Sequence, residues 1–143
     1  MKIGKIITAI SFIAFATGIT GCAQTPEKPP KEKVIFQVSD ASPKTWNLAL
    51  NNVKNVQKAL GKDKTEVELV VYGPGIGMLK LDSEVGNRVD AAVKDGVKIV
   101  ACENTMHGQH LTKDDMLPTI GYVPGGVIEL MMKQKEGYSY IRP

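Results

Sequence analysis

The sequence predicts an α/β fold, with a mainly parallel sheet flanked by helices in three layers. Three observations carry this. Short apolar, β-branched runs alternate along the chain with stretches whose apolar residues recur at helical spacing. No tight hairpin dipeptide joins one strand to the next, so each strand must reach its neighbour by a crossover. The chain has 143 residues, 43% of them hydrophobic and 23% charged, which suits one domain with a core of useful size.

Taken in order, residues 1–21 read as an export signal. Lys2 and Lys5 supply a basic start, and Ile6 to Ile19 form an apolar stretch interrupted by Thr8, Ser11, Thr17 and Gly18, too short for a comfortable membrane span. Ile19-Thr20-Gly21-Cys22 follows at once and resembles the lipobox of bacterial lipoproteins. That resemblance implies a lipid on Cys22, which would then be the mature N-terminus of an exported, membrane-anchored protein facing the periplasm. Residues 22–32 are polar and proline-bearing, a flexible tether, and the folded domain is expected over 33–143. Setting Lys2 and Lys5 aside leaves sixteen of the eighteen Lys and Arg against fifteen Asp and Glu. A domain this near neutrality offers no electrostatic reason to expect nucleic acid as a partner.

Lys33 to Ser39 is the first predicted strand, with Asp40 and Ala41 at its exit. Ser42-Pro43 then starts a helix, the serine side chain as cap and the proline at the first helical position. Trp46, Ala49, Leu50, Val53, Val56 and Leu60 form its apolar face, and Gly61 stops it. Asn47, Asn51 and Asn55 lie four apart on a separate stripe, read either as a solvated face or as a contact surface. Glu66 to Tyr72 is the second strand, breaking into Gly73-Pro74-Gly75-Ile76-Gly77. These glycines permit sharp turning and could present N–H groups to an anion. Their spacing matches neither the dinucleotide fingerprint nor the P-loop, and Pro74 removes a donor, so no cofactor is expected.

Ser83 is the expected cap of a helix carrying Val85, Val89, Ala92 and Val93 on one face, ended by Gly96. Val97 to Ala101 is the third strand, and Cys102 follows at its C-terminal end, before the polar stretch Glu103 to Gly108. Thr112 and Asp115 have capping-box spacing. A last helix is expected from about Pro124 to Glu136, closed by Gly137, and Tyr138 to Ile141 reads as a final edge strand.

Right-handed crossovers put all parallel strand exits on one edge of the sheet. Asp40, Gly73, Gly75, Gly77, Cys102, Glu103, Asn104, His107 and Gly108 are therefore expected around one small pocket, with Cys102 its only thiol. A lone thiol in an exported domain is buried, capped or reactive. The negative charge of Glu103 would raise its pKa, whereas helix starts and imidazoles would lower it. Two further readings stay open: a partial metal site from Cys102, His107 and His110, and an interaction module without chemistry.

The order of elements, the Asn-bearing first helix, Tyr72 to Leu79 after the second strand and Val100 to Gly108 after the third together resemble the DsrE-like family of sulfur-relay proteins. The resemblance covers nearly the whole domain. It implies a sheet of about five strands with flavodoxin-like layering, a persulfide carried on Cys102, and Gly108 as the later glycine of the cysteine loop. It also implies a homo-oligomer, trimer or hexamer, with the cysteine loops near subunit contacts. Backbone N–H groups of the glycine loop would hold developing negative charge during transfer, and His107 and His110 could supply protons. Neither the sulfur donor nor the acceptor is named by the sequence.

Overall fold

The computed structural model describes residues 29–143. Cys22, the export signal and most of the tether therefore lie outside the described residues. Five strands form one sheet in the order β4-β3-β2-β1-β5, and every neighbouring pair is parallel. The strands are β1 (Glu32–Val38), β2 (Thr65–Val71), β3 (Lys98–Cys102), β4 (Gly121–Val123) and β5 (Ser139–Ile141). Between them run α1 (Pro43–Leu60), α2 (Gly86–Lys94), the short α3 (Glu103–Gly108) and α4 (Gly126–Lys135). Among the described residues no helix is long and apolar enough to cross a membrane.

The topology divides the helices unequally. From β1 to β4 the chain steps across the sheet in one direction, so right-handed crossovers place α1, α2 and the β3–β4 connection on the same face. The return from β4 to β5 runs the other way and puts α4 on the opposite face. Side chains alternate along each strand. Phe36, Leu69, Ile99 and Ala101 therefore enter the larger core with Trp46, Leu50, Val53, Val89, Met106 and Met116. Ile35, Val70, Val100 and Val123 point to the other side, where Leu130 and Tyr138 cover them.

Local signals explain most boundaries. Pro43 occupies the first turn of α1 and Gly61, at φ 93°, ends it. Ser42 holds the cap position without a side-chain cap bond; its carbonyl instead accepts the N–H of Trp46 at 3.1 Å. Ser83 sits two residues before the cap position of α2, and its hydroxyl accepts the N–H of Val85 at 3.4 Å. The capping box forms, with Asp115 Oδ2 accepting the Thr112 N–H at 2.7 Å, but it closes only a three-residue 3-10 turn. The final helix begins at Gly126 and not Pro124, because Gly125 is still extended and Tyr122 and Val123 are drawn into β4 beside β3. Glu103 to Gly108, expected as loop, is helical.

Candidate functional site

Cys102 is the last residue of β3 and sits at the cap position of α3. As it shares the strand face of Val100, its side chain points toward α4 and away from the larger core. Gly126, the first residue of α4, donates its N–H to Cys102 Sγ at 3.2 Å. That approach depends on the absence of a side chain: a Cβ on Gly126 would meet the Cβ and ring of Tyr72 at 3.0 Å. Tyr72, at the exit of β2, thus forms the wall on which the start of α4 rests.

Cys102 is buried, 5% exposed, and burial alone pushes the thiol pKa up. The Thr105 hydroxyl and the backbone N–H groups of Gly126, Thr105 and Asn104 together outweigh burial and hold the thiol below its ordinary value. Thr105 is itself oriented, because its Oγ1 accepts the N–H of Gly73 at 2.9 Å, which leaves its own proton for the sulfur. The thiol lines a pocket of about 270 Å³ with Tyr72, Asn104, Thr105, Gly125, Val127 and Ile128. A stabilised thiolate in such a pocket can attack a sulfur atom by nucleophilic exchange.

Residues 32–143 match the DsrE/DsrF-like family. The chain belongs to that family. A search of curated proteins finds no match. Among solved structures, the domain is similar to MTH1491 of Methanobacterium thermoautotrophicum, a protein of unknown function, at 31% identity and TM-score 0.76, covering 79% of this chain and all of that one. It is also similar to BT1422 of Bacteroides thetaiotaomicron, at 15% identity and TM-score 0.65 over 78% of this chain and 95% of that chain. The ychN protein of E. coli follows at 9% identity and TM-score 0.64, over 79% and 99% of the two chains. The last two likenesses are likenesses of fold.

Within this DsrE/DsrF-like domain the residues expected around the thiol separate into two groups. Asn104 lines the pocket with Cys102, and Gly73 acts on the sulfur through Thr105. The rest are elsewhere. Gly75 packs on the end of β1, where a Cβ would stand 2.7 Å from the Val38 carbonyl oxygen, and its N–H is spent on Tyr72 O at 3.1 Å. Gly77 lies against the Trp46 ring. The Asp40 carbonyl accepts the indole N–H of Trp46 at 2.7 Å, and its carboxylate lies 3.8 Å from Arg142. Glu103 has Lys113 at 3.8 Å, while His107, Gly108 and His110 are exposed at and beyond the end of α3. The glycine loop is thus a 3-10 turn that packs, and the donors to the sulfur come from the starts of α3 and α4.

No group of three or more His, Cys, Asp or Glu side chains among the described residues could hold a metal ion. The Cys102, His107 and His110 reading therefore has no geometry behind it. Tyr72, Thr105, Gly125, Gly126, Val127 and Ile128 were not anticipated as site residues. Gly125-Gly126 ahead of a helical run was the available signal, since a glycine at a helix start lets the backbone come close to another group.

Proposed function

We propose that this protein carries sulfane sulfur as a persulfide on Cys102. The observation that carries the reading is the Gly126 N–H on the sulfur of a pocket-lining thiol, together with the Thr105 hydroxyl. In the loading step the Cys102 thiolate attacks the outer sulfur of a donor persulfide, R–S–SH. A new S–S bond forms on Cys102, the donor S–S bond breaks, and the donor leaves as its thiolate; no external oxidant or reductant is needed. Unloading repeats the exchange with an acceptor thiolate attacking the outer sulfur of the Cys102 persulfide. The donor N–H groups stabilise the sulfur anion on each side of the step.

The lipid on Cys22 and the periplasmic location complete this reading as a tethered carrier. Assembly into a trimer or hexamer belongs to it as well. Its support is the apolar face of α4, where Val127 and Ile128 are 53% and 62% exposed and continue into Met131 and Met132. Intact mass spectrometry of the purified protein after treatment with polysulfide tests the carrier reading, beside Cys102→Ser. The expected result is a reducible gain of whole sulfur atoms in the wild type alone. The same apolar face favours a second reading, a binding module in which Cys102 only packs. That reading leads if no sulfur is gained and the native thiol resists alkylation.

A further inference from the structure

The asparagine stripe of α1 lies on the face of the sheet away from Cys102, and it holds an arginine. Arg88, on α2, donates from Nη1 to Asn47 Oδ1 and from Nη2 to Asn51 Oδ1, the latter at 2.7 Å. Both acceptors are neutral amides, so they orient the guanidinium without neutralising it. No carboxylate among the described residues comes within ion-pair distance of Arg88 or of Lys54 one turn further along α1.

The two cations border a groove of about 250 Å³ between α1 and α2. Leu50 and Val53, both buried, form its floor on α1, and the small side chains of Ala91 and Ala92 line it from α2. At its other end Asp95 is already engaged: its carboxylate meets Lys62 at 2.6 Å, and its carbonyl accepts the Gln57 amide at 3.0 Å. The groove is therefore headed by Arg88, flanked part-way along by Lys54, and charge-compensated at its other end. It lies somewhat below the ~300–1,000 Å³ of sites for drug-sized ligands, which limits the guest to a small molecule.

The geometry points to this groove as a binding site for a small amphipathic carboxylate, its anionic head on Arg88 and a short branched apolar tail between α1 and α2. Arg presents N–H groups in a fork that suits a carboxylate, and its preorganisation by Asn47 and Asn51 lowers the ordering cost of binding. Had the bracing of α2 been the only requirement, an aspartate at 47 or 51 would have served it and left no free charge.

The test is a titration of the 15N-labelled protein with 4-methylpentanoate, followed by the backbone amide shifts of α1 and α2. Acetate, which lacks the tail, and 4-methylpentanamide, which lacks the charge, serve as controls. Saturable shifts around Leu50, Arg88 and Ala92 are expected with 4-methylpentanoate, and binding at least about tenfold weaker with each control. Arg88→Gln should weaken binding by about the same factor, and Ala92→Leu should abolish it by filling the groove while Arg88 stays in place. The idea is overturned by an absence of saturable shifts, or by binding that Ala92→Leu leaves intact. Because Ala92→Leu keeps the Asn47–Arg88–Asn51 brace, it decides the matter even if Arg88→Gln unfolds. Sulfur loading on Cys102 should be unaffected in both variants.

Discussion

The two faces of the sheet are built to different standards of closure. On one, α1, α2 and the β3–β4 connection bury a continuous core that includes Phe36, Leu69, Val89, Ile99 and Met116. On the other, α4 alone covers Ile35, Val70 and Val100, chiefly through Leu130 with Tyr138 beside it. Yet the thiol, its N–H donor and the exposed apolar residues Val127, Ile128 and Met131 all belong to the thinly covered face. The contrast teaches that stability and chemistry are divided by the direction of chain crossover, one direction used three times and the other once.

The largest expected difference is in core deletions. Phe36→Ala should cost about 3–5 kcal/mol, and Leu130→Ala should fall at the low end of the ~2–5 kcal/mol range for leucine, both read by denaturant titration. Equal losses would break the comparison. Next comes Gly75→Ala, whose Cβ would press on the β1 backbone at 2.7 Å. A loss of roughly 1–3 kcal/mol with thiol reactivity retained would sharpen the view that the glycine turn packs and does not hold anions.

Gly126→Ala acts on the other face. Lifting the start of α4 off Tyr72 should withdraw the N–H from Cys102, and Thr105→Val should remove the hydroxyl. In both variants the pH midpoint of alkylation should move up, with a several-fold slower rate at neutral pH. A midpoint that stays put would show that neither donor tunes the sulfur. The sign for stability follows: the native thiol is held below its unfolded value, so wild-type stability should rise with pH through the native thiol pKa and level off above the unfolded one.

A smaller, pH-dependent effect is expected from Glu68, which is 1% exposed beneath α4. Lys98 Nζ lies 3.0 Å from its Oε1 and 3.2 Å from Glu129 Oε1, yet Glu68 Oε1 accepts no well-formed hydrogen bond. Burial, the largest influence, raises the Glu68 pKa, Lys98 lowers it and Glu129 raises it again, so that it stands above the ordinary glutamate value. For Glu129, burial is outweighed by its bonds to Glu68 and Lys98, which hold it below the usual range. Because the native state holds the Glu68 proton more tightly, this group favours folding most below the unfolded glutamate pKa and loses that advantage as pH rises through its native value. Glu68→Gln should flatten that decline in urea titrations across the same window. Smallest in stability, within about 0.5 kcal/mol, is Ile128→Lys, whose expected effect is on self-association measured by sedimentation.

Elements with enough residues to show a period were legible: β1 and β2 through their apolar runs, α1 through Trp46 to Val56. β4 and α3 were not, since Gly121–Val123 offers three residues and Glu103–Gly108 six, too few for either period to register. The thiol was legible as a candidate because side chains carry names into the sequence. Three of its four donors, however, are backbone N–H groups, which any residue but proline could supply. Two identities do matter, Thr105 for its hydroxyl and Gly126 for the side chain it lacks.

The single N–H that α4 gives to Cys102 turns the sulfur into a gauge of its own roof. Any load borne by the outer side of α4 that shifts its first turn will be read out as a change in the ultraviolet absorbance of the thiolate, with no label attached. Occupancy of that surface can therefore be followed optically, from the one free thiol among the described residues.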